Sequence, residues 1–300
     1  ALAVPYAMDF TGEIEGEIPT GWYQTHSNWG VTATADGGGI APEMTLTRLP
    51  YTTGELKIIS PKLHSQSTSK MEVEFAHSSN LIDASGSYTI ELQSSIDGLN
   101  WNSEWSTEVT ASLLSQTQSV DITHLTNQDF YLAWVFNGYT YYGDWRIDNI
   151  YIRVEPEVEI VSSAINYNDI LSLSSFEGSS AVYGGEAVEG NFTFDNPNLI
   201  LAAGLQTVPY TFTPTNSIQY ITINDFIDVQ GKQVFIHPSY NPDSVTSSNE
   251  NDFDIALLEL ELAVELTPIK LFIGETPSNI PTIAGIHVGM LDNLKLDTNK

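Results

Sequence analysis

The chain has 300 residues, of which 38 are Asp or Glu and only 10 are Lys or Arg, so its formal net charge at pH 7 is −28. The intervals from Lys70 to Arg146 and from Arg153 to Lys232 contain no further Lys or Arg. Nucleic acid is therefore excluded as a partner, because phosphate binding needs clustered cations. The absence of cysteine excludes a disulfide framework and thiolate chemistry. No apolar run approaches the roughly 18 residues of a spanning helix, so we predict no membrane insertion.

A hydrophobic fraction of 41% with 16% charged residues is typical of a folded globular chain. At about 150 residues per domain the length predicts about two domains, each large enough to bury a core. The acidic surface repels itself and concentrates counter-cations, which makes divalent cations natural partners. The chain begins with Ala1 rather than Met, which fits either a mature secreted product or a shortened chain.

In the first half, apolar residues recur with the period of β-strands. Residues 70–76 and 87–93 alternate apolar and polar side chains, and residues 129–136 form a third apolar run. Asp97-Gly98 is a tight-turn signal between Ile96 and Trp101. Short strands at this spacing, separated by turn residues, predict an antiparallel sandwich.

The pattern changes near Pro156, which is flanked by glutamates and reads as a linker. Beyond it, residues 188–194 and 207–212 are predicted strands at the spacing of a small Ig-like sandwich. Residues 254–262 fit a strand or a helical turn by periodicity, and the β-rich context favours the strand. We therefore predict three regions, at 1–155, 156–223 and 224–300, the last packed on or part of the second.

The first 154 residues contain five motifs in a distinctive order. They are Asp-Phe-Thr-Gly at 9–12, Ile-Pro-Thr-Gly-Trp at 18–22, Ile-Ser-Pro-Lys-Leu at 59–63, Ser-Ile-Asp-Gly at 95–98 with Trp101, and Asp-Trp-Arg-Ile-Asp-Asn-Ile at 144–150. In these motifs the region resembles the jelly-roll module of cleaved-adhesin and choice-of-anchor J surface proteins, with a more distant likeness to MAM-type domains. This resemblance implies an accessory module of a secreted protein that contributes adhesion or carbohydrate contact rather than catalysis.

Two motifs mark the region that follows, Gly-Asn-Phe-Thr-Phe-Asp-Asn-Pro at 190–197 and Tyr-Thr-Phe-Thr-Pro-Thr-Asn at 210–216. Through them, residues 160–222 resemble the bacterial Ig-like repeats called MBG or YDG domains. Such repeats are spacers in long surface adhesins, so the resemblance implies a structural role.

Residues 234–271 resemble a piece of a trypsin-like serine protease, through His-Pro-Ser-Tyr-Asn at 237–241 and Asp-Phe-Asp-Ile-Ala-Leu-Leu at 252–258. In that family the position of Asp254 orients the catalytic histidine. No Ala-Ala-His motif precedes it and no Gly-Asp-Ser-Gly-Gly motif follows, and His237 matches a non-catalytic position. Because a triad needs nucleophile, base and orienting acid together, we predict that the chain is not an enzyme.

The acidic residues near the two ends of the jelly roll are candidate calcium ligands, since Ca²⁺ prefers hard oxygen donors. Asp9 and Glu13 lie at the first strand and Asp148 on the last, and the family resemblance implies that these ends meet. Asp36 and Asn149 are further candidates. The alternative is that Asp9 and Asp148 cap turns or accept backbone N–H bonds.

Aromatic residues in turn-rich segments are candidates for stacking on sugars. We predict that Tyr139, Tyr141 and Tyr142 form such a contact patch, whereas Trp101, Trp134 and Trp145 pack in the core.

The sequence thus predicts an all-β protein, in which a jelly roll precedes a small Ig-like sandwich and a β-rich C-terminal segment. It would be secreted or displayed on a bacterial surface and would bind a carbohydrate or a protein surface, with Ca²⁺ as a structural ion. The alternatives are a self-associating subunit of an extracellular filament or layer, and an accessory region of a larger secreted hydrolase.

Overall fold

The structure is a computed structural model and describes residues 1–166 and 168–232. In this part of the chain the regular elements are β-strands apart from two 3₁₀ turns, at Thr123–Leu125 and Leu171–Leu173. The predicted all-β class is therefore confirmed. No helix within the described ranges is long and apolar enough to cross a membrane. The protease-like segment at 234–271, including His237 and Asp254, lies outside the described residues.

The strands of the first region form the predicted sandwich, and the runs at 70–76, 87–93 and 129–136 fall largely within β8, β9 and β12. In chain order the strands are β1 (Leu2–Ala3), β2 (Tyr6–Met8), β3 (Tyr23–Gln24), β4 (Trp29–Thr32), β5 (Glu43–Leu46), β6 (Thr53–Ile59), β7 (Leu63–His64), β8 (Met71–Leu81), β9 (Tyr88–Ser95), β10 (Asn102–Val109), β11 (Leu113–Asp121), β12 (Asp129–Tyr139) and β13 (Gly143–Val154).

These strands form two sheets of a jelly roll. The first sheet has the order β10-β9-β12-β6-β3, with β7 and then β1 beside the start of β12, and the second has the order β11-β8-β13-β5-β4, with β2 paired to β13. All pairs are antiparallel except β1 with β7. Strand β13 is central in the second sheet and pairs with the first residues of the chain through β2. The resemblance implied this meeting of the two ends.

The core lies between the two sheets and is built by alternate residues of the central strands. Trp134 on β12 and Trp145 on β13 are fully buried, as the sequence analysis predicts. His77 is buried beside them and accepts a hydrogen bond from Trp145 Nε1 at 3.3 Å through Nδ1. Because its surroundings are apolar, burial lowers the pKa of His77 to about 4.

Two tryptophans near the β9–β10 turn have environments that the sequence does not distinguish. Trp105 is half-buried and packs edge-on against the buried ring of Phe75. Trp101, which we predicted to be a core residue, is only half-buried and lies 4.9 Å from Lys57 Nζ. This prediction was wrong because β10 begins after Trp101, so the strand alternation does not direct its ring inward.

The Asp97-Gly98 turn between β9 and β10 is the tight turn that the sequence predicts. Asp97 Oδ1 accepts hydrogen bonds from the backbone N–H groups of Asn100 and Leu99, each at 2.8 Å. These bonds hold the pKa of the Asp97 carboxyl well below its usual range.

The second region is a smaller sandwich, separated from β13 by Glu155-Pro156. One sheet has the order β14-β16-β17 and the other β15-β20-β19-β18. The predicted strands at 188–194 and 207–212 overlap β18 and β19. The strands are β14 (Glu157–Glu159), β15 (Ile165–Asn166), β16 (Ser180–Tyr183), β17 (Glu186–Ala187), β18 (Gly190–Phe194), β19 (Gly204–Pro214) and β20 (Ile223–Lys232).

The second sandwich continues past the boundary predicted at residue 223. Strand β20 pairs with β19 from Ile223 opposite Phe212 to Gly231 opposite Gly204. The residues up to Lys232 therefore belong to this sandwich rather than to a separate segment. The two regions touch at Val154, whose N–H donates to Gln219 and whose carbonyl accepts from Ile221.

Candidate functional site

Three tyrosines form a cluster at the end of the jelly roll where the β12–β13 hairpin turns. The turn is closed by a hydrogen bond from Tyr142 N to Tyr139 O at 3.0 Å. The Tyr139 and Tyr141 rings stack with centroids 5.7 Å apart, and Tyr51 from the β5–β6 loop meets Tyr141 edge-on at 5.2 Å. Tyr51 is 48% exposed, Tyr139 36% and Tyr141 37%, so this tyrosine cluster (Tyr51, Tyr139 and Tyr141) is open to solvent.

The third predicted contact residue, Tyr142, has a different environment. It is half-buried, and its ring lies so close to Gly86 that a Cβ there would approach the ring to 2.3 Å. Its carbonyl accepts the N–H of Ile82 at 2.7 Å. Tyr142 therefore anchors the hairpin to the β8–β9 loop, while Tyr51 supplies an exposed ring that the sequence analysis did not select.

Arg48 joins the β5–β6 loop to the hairpin. Its guanidinium lies beside two rings of the tyrosine cluster, 5.1 Å from the centroid of Tyr141 and 5.6 Å from that of Tyr51. Both Nε and Nη2 of Arg48 donate to the carbonyl oxygen of Tyr141. Thr140 Oγ1 donates in turn to the carbonyl of Arg48 at 2.9 Å. These bonds fix the orientation of the arginine and of the Tyr141 backbone.

The tyrosine cluster borders a cleft of about 380 Å³ on the outer face of the second sheet. Threonine hydroxyls form its floor, and those of Thr32 and Thr45 lie 2.6 Å apart. Polar groups thus alternate with an aromatic rim, a combination that can hydrogen-bond sugar hydroxyls and stack on a sugar ring. The lining residues are Thr32, Thr34, Thr45, Thr47, Arg48, Leu49, Tyr51, Asp144 and Arg146.

At the other end of the cleft, three carboxylates surround a single arginine. Arg146 pairs with Asp144 at 2.8 Å, with Asp36 at 3.3 Å and with Glu43 at 3.6 Å. Asp36, which we named as a further calcium candidate, is therefore engaged by an arginine. The carboxylate of Glu43 also accepts the hydroxyl of Thr34 and, at 2.6 Å, the N–H of Gly37.

The candidate calcium site lies farther along β13, where its pairing with β8 is irregular between Asp148 and Tyr151. Asp148 is fully buried; its Oδ1 accepts the N–H of Asn149 at 2.7 Å, and its Oδ2 has no hydrogen-bond partner. Burial raises the pKa of Asp148 to about 7, with further contributions from the charges of Glu43 and Asp9. An unpartnered buried carboxylate oxygen is costly unless a cation balances it.

A glycine loop between β4 and β5 covers this carboxylate. A Cβ on Gly39 would come within 2.6 Å of Asp148 Oδ2 and 2.3 Å of Asn149 Nδ2. Gly39 also has a φ of +79°, which L-residues rarely adopt. Only glycine therefore lets this loop close over Asp148. Three consecutive glycines, at 37–39, give no local sign in the sequence of this contact with Asp148.

Of the three predicted calcium ligands, Asp9 lies near Asp148, whereas Glu13 has no recorded effect on it. Asp9 is close enough for its charge to raise the pKa of Asp148, although Asp9 Oδ1 already accepts the N–H of Thr11 at 3.0 Å. Glu13 is not among the groups that act on Asp148, and instead contributes to the raised pKa of Tyr6, which burial chiefly sets. Within residues 1–166 and 168–232, no three His, Cys, Asp or Glu side chains form a group able to hold a metal ion.

A calcium ion at this position would take one or two carboxylates and would need main-chain carbonyls or water to complete its shell. Asp148 Oδ2 is the strongest donor, because it is buried and unpartnered. Calcium binds six to eight oxygens, many of them uncharged, so a three-carboxylate cage is not required. Whether the site binds calcium stays a prediction.

No protein-family model matches the chain, and no curated protein has a similar sequence. The likenesses to MBG or YDG repeats and to a serine protease therefore receive no support from these comparisons.

Several solved structures resemble the chain over about half its length. The K1 cleaved adhesin domain of Lys-gingipain from Porphyromonas gingivalis W83 is 15% identical, with a TM-score of 0.39, over 50% of this chain and 98% of that one. TmCBM61, solved with β-1,4-galactotriose, is 15% identical, with a TM-score of 0.35, over 49% and 99%. The glycoside hydrolase domain of Endo-D from Streptococcus pneumoniae R6 is 13% identical, with a TM-score of 0.31, over 69% and 37%. At these values the neighbours establish neither a ligand nor an activity for this chain.

Proposed function

We propose that this protein is a non-catalytic surface adhesion module whose jelly roll binds carbohydrate at the tyrosine cluster and the adjoining cleft. The observation that carries this proposal is the contact between Tyr51 and Tyr141, which joins exposed aromatic rings to a hydroxyl-lined cleft. A sugar ring has apolar faces and a hydroxyl edge. Such a ligand can stack on the rings and hydrogen-bond the cleft floor at the same time.

Calcium acts in this proposal as a structural ion at Asp148 and Asp9. It would balance the buried carboxylate and fasten β2 to β13, which pair from Met8 opposite Ile150. A site with few carboxylates suits the high calcium concentration outside cells, where modules bind with dissociation constants of about 10⁻⁴ to 10⁻³ M. This consideration supports an extracellular or bacterial cell-surface location.

Screening against a glycan array, followed by isothermal titration calorimetry with the best neutral oligosaccharide, tests the proposal. Replacing Tyr139 or Tyr141 by Ala is expected to weaken binding about tenfold, the scale of one lost aromatic contact. Tyr23→Ala is the matched control, because Tyr23 is 65% exposed but pairs with Ile59, at the opposite end of β6 from Thr53, which pairs with Tyr139. Binding that is unchanged in both cluster variants would remove this site.

Self-association into a filament and a role as the accessory region of a hydrolase stay alternatives. Light scattering on dilution, with calcium and with chelator, tests the first, and a monomer in both conditions excludes it. If the protein hydrolyses casein and Asp254→Ala abolishes that hydrolysis, the non-catalytic assignment is wrong.

A further inference from the structure

Arg48 is set apart from the other basic residues by its surroundings. Five other basic residues of the described chain each form an ion pair with a carboxylate, and their shortest contacts are 2.6 to 3.5 Å. They are Lys57, Lys62, Lys70, Arg146 and Arg153. No carboxylate of the described residues forms an ion pair with Arg48. In a chain with a net charge of −28, a cation without such a partner is unexpected.

The nearest acidic influence on this cation is Asp83 in the β8–β9 loop. The pKa of Asp83 is lowered chiefly by hydrogen bonds from Ser85, and also by the Tyr141 hydroxyl and the charge of Arg48. Asp83 and Arg48 thus feel each other's charge without forming an ion pair. The guanidinium charge remains available to a ligand.

The arginine is also held ready for such a ligand. Two of its N–H groups are fixed on the Tyr141 carbonyl, and the rings of Tyr51 and Tyr141 restrain its plane. Its Nη1 amino group makes no hydrogen bond with any described residue. An oriented guanidinium edge matches the paired oxygens of a carboxylate or a sulfate ester.

Arg48 is the one cation without a carboxylate partner among the described residues that line the cleft, because Arg146 pairs with Asp144, Asp36 and Glu43. We infer that the cleft is selective for acidic sugar residues, whose carboxylate or sulfate ester pairs with Arg48 while the ring stacks on Tyr51 or Tyr141. This inference rests on the proposed carbohydrate-binding function and specifies its ligand class. The net negative charge repels polyanions, so the ligand is an isolated acidic residue rather than a highly charged polymer.

Calorimetry with two pairs of probes tests the inference. Trigalacturonic acid and its methyl ester differ in carboxylate charge, and galactose 6-sulfate and galactose differ in the sulfate ester. We expect the charged member of at least one pair to bind about tenfold more tightly, the effect of one charge-assisted hydrogen-bonded pair. The pair that shows the difference identifies the anionic group.

Arg48→Gln is expected to abolish this preference, because it weakens binding of the charged member about tenfold more than binding of the uncharged member. Lys62→Gln is the control, since Lys62 is an exposed cation that pairs with Asp129 far from the cleft. If Arg48→Gln keeps the preference for the charged probe, the inference is overturned. This result is expected if a calcium ion, and not Arg48, binds the acidic group. An equal loss for charged and uncharged probes also overturns the inference, because Arg48 would then only position the tyrosines.

The outcomes separate the inference from the function on which it rests. If the wild-type protein binds charged and uncharged probes equally, the inference fails while carbohydrate binding stands. If neither these probes nor any glycan of the array binds, the proposed function fails and the inference fails with it.

Discussion

Two carboxylates on the same strand, Asp144 and Asp148 of β13, are both buried but have opposite surroundings. Asp144 accepts hydrogen bonds from Arg146 at 2.8 Å and from the amide of Asn80 at 3.1 Å. Asp148 has one oxygen with no partner and two further carboxylates close enough to raise its pKa. The protein therefore balances the first charge with its own residues, whereas the second requires a proton or an external cation.

The largest expected effect is the response of Asp148 to pH and calcium. Its folded pKa of about 7 exceeds the unfolded value of 3.8, so in chelator this residue stabilises the fold at low pH and loses that contribution as pH rises to about 7. Between pH 3.8 and pH 7, and with an allowance for partial solvation of the Asp148 carboxyl, the free energy of unfolding is expected to fall by about 3 kcal/mol. Calcium is expected to restore it at pH 7.5.

Urea unfolding at pH 5 and pH 7.5, with calcium and with EDTA, measures this effect. In Asp148→Asn the difference between calcium and EDTA is expected to vanish, while the matched variant Asp144→Asn keeps it. If the wild type is equally stable with calcium and EDTA at pH 7.5, no structural calcium binds at Asp148.

His77 provides a contribution of the opposite sign. Its folded pKa of about 4 is below the unfolded 6.5, so its contribution to stability falls as pH decreases from 6.5 to 4. We expect a loss of about 2 kcal/mol over this range. In calcium, where Asp148 is balanced, His77→Phe should flatten the pH dependence of unfolding between pH 4 and 6.5. An unchanged slope would show that His77 does not stay neutral in the folded state.

The covering loop is tested by Gly39→Ala. The added Cβ would meet Asp148 Oδ2 and Asn149, and alanine is strained at a φ of +79°. We expect a loss of about 2 kcal/mol in unfolding free energy together with weaker stabilisation by calcium. Gly185→Ala is the control, since Gly185 has a φ of +84° but nothing within 4 Å of the added carbon. Equal losses in the two variants would assign the effect to backbone strain alone.

The smallest expected effect separates Tyr141 from Tyr142. Tyr142→Ala is expected to lower the melting temperature by a few degrees, because the ring packs against Gly86, corresponding to about 1 kcal/mol. Tyr141→Ala is expected to leave the melting temperature nearly unchanged and to weaken glycan binding. Differential scanning fluorimetry measures the melting temperature of each variant, and calorimetry measures its glycan binding. If Tyr141→Ala lowers the melting temperature and Tyr142→Ala weakens binding, the roles assigned to the two residues are wrong.

Sequence patterns predicted local structure well where one strand face is buried. The alternation at 70–76 and 87–93 and the turn at Asp97-Gly98 depend on near neighbours, so they could be read directly. Trp101 could not be placed, because the start of β10 decides its direction. The sequence left open whether the residues after 223 are part of the second sandwich, because β20 is defined by its long-range pairing with β19.

The candidate sites depend on residues far apart in the chain. Tyr139 and Tyr141 were found from a turn-rich segment, but their partners Tyr51 and Arg48 lie in another loop. Glu43 reads as an ordinary strand residue and offers no local signal of its approach to Asp148. The meeting of Asp9 with Asp148 was implied by a family resemblance and not by spacing.

By itself the sequence determined the all-β class and the acidic, cysteine-free character of the chain. These properties follow from composition and from period-two patterns, which act over a few residues. Only the tertiary structure decided which charges are balanced, because burial and pairing arise when distant strands meet. It left Asp148 Oδ2 unpartnered beneath Gly39, and it placed Arg48 beside two tyrosine rings without a carboxylate partner.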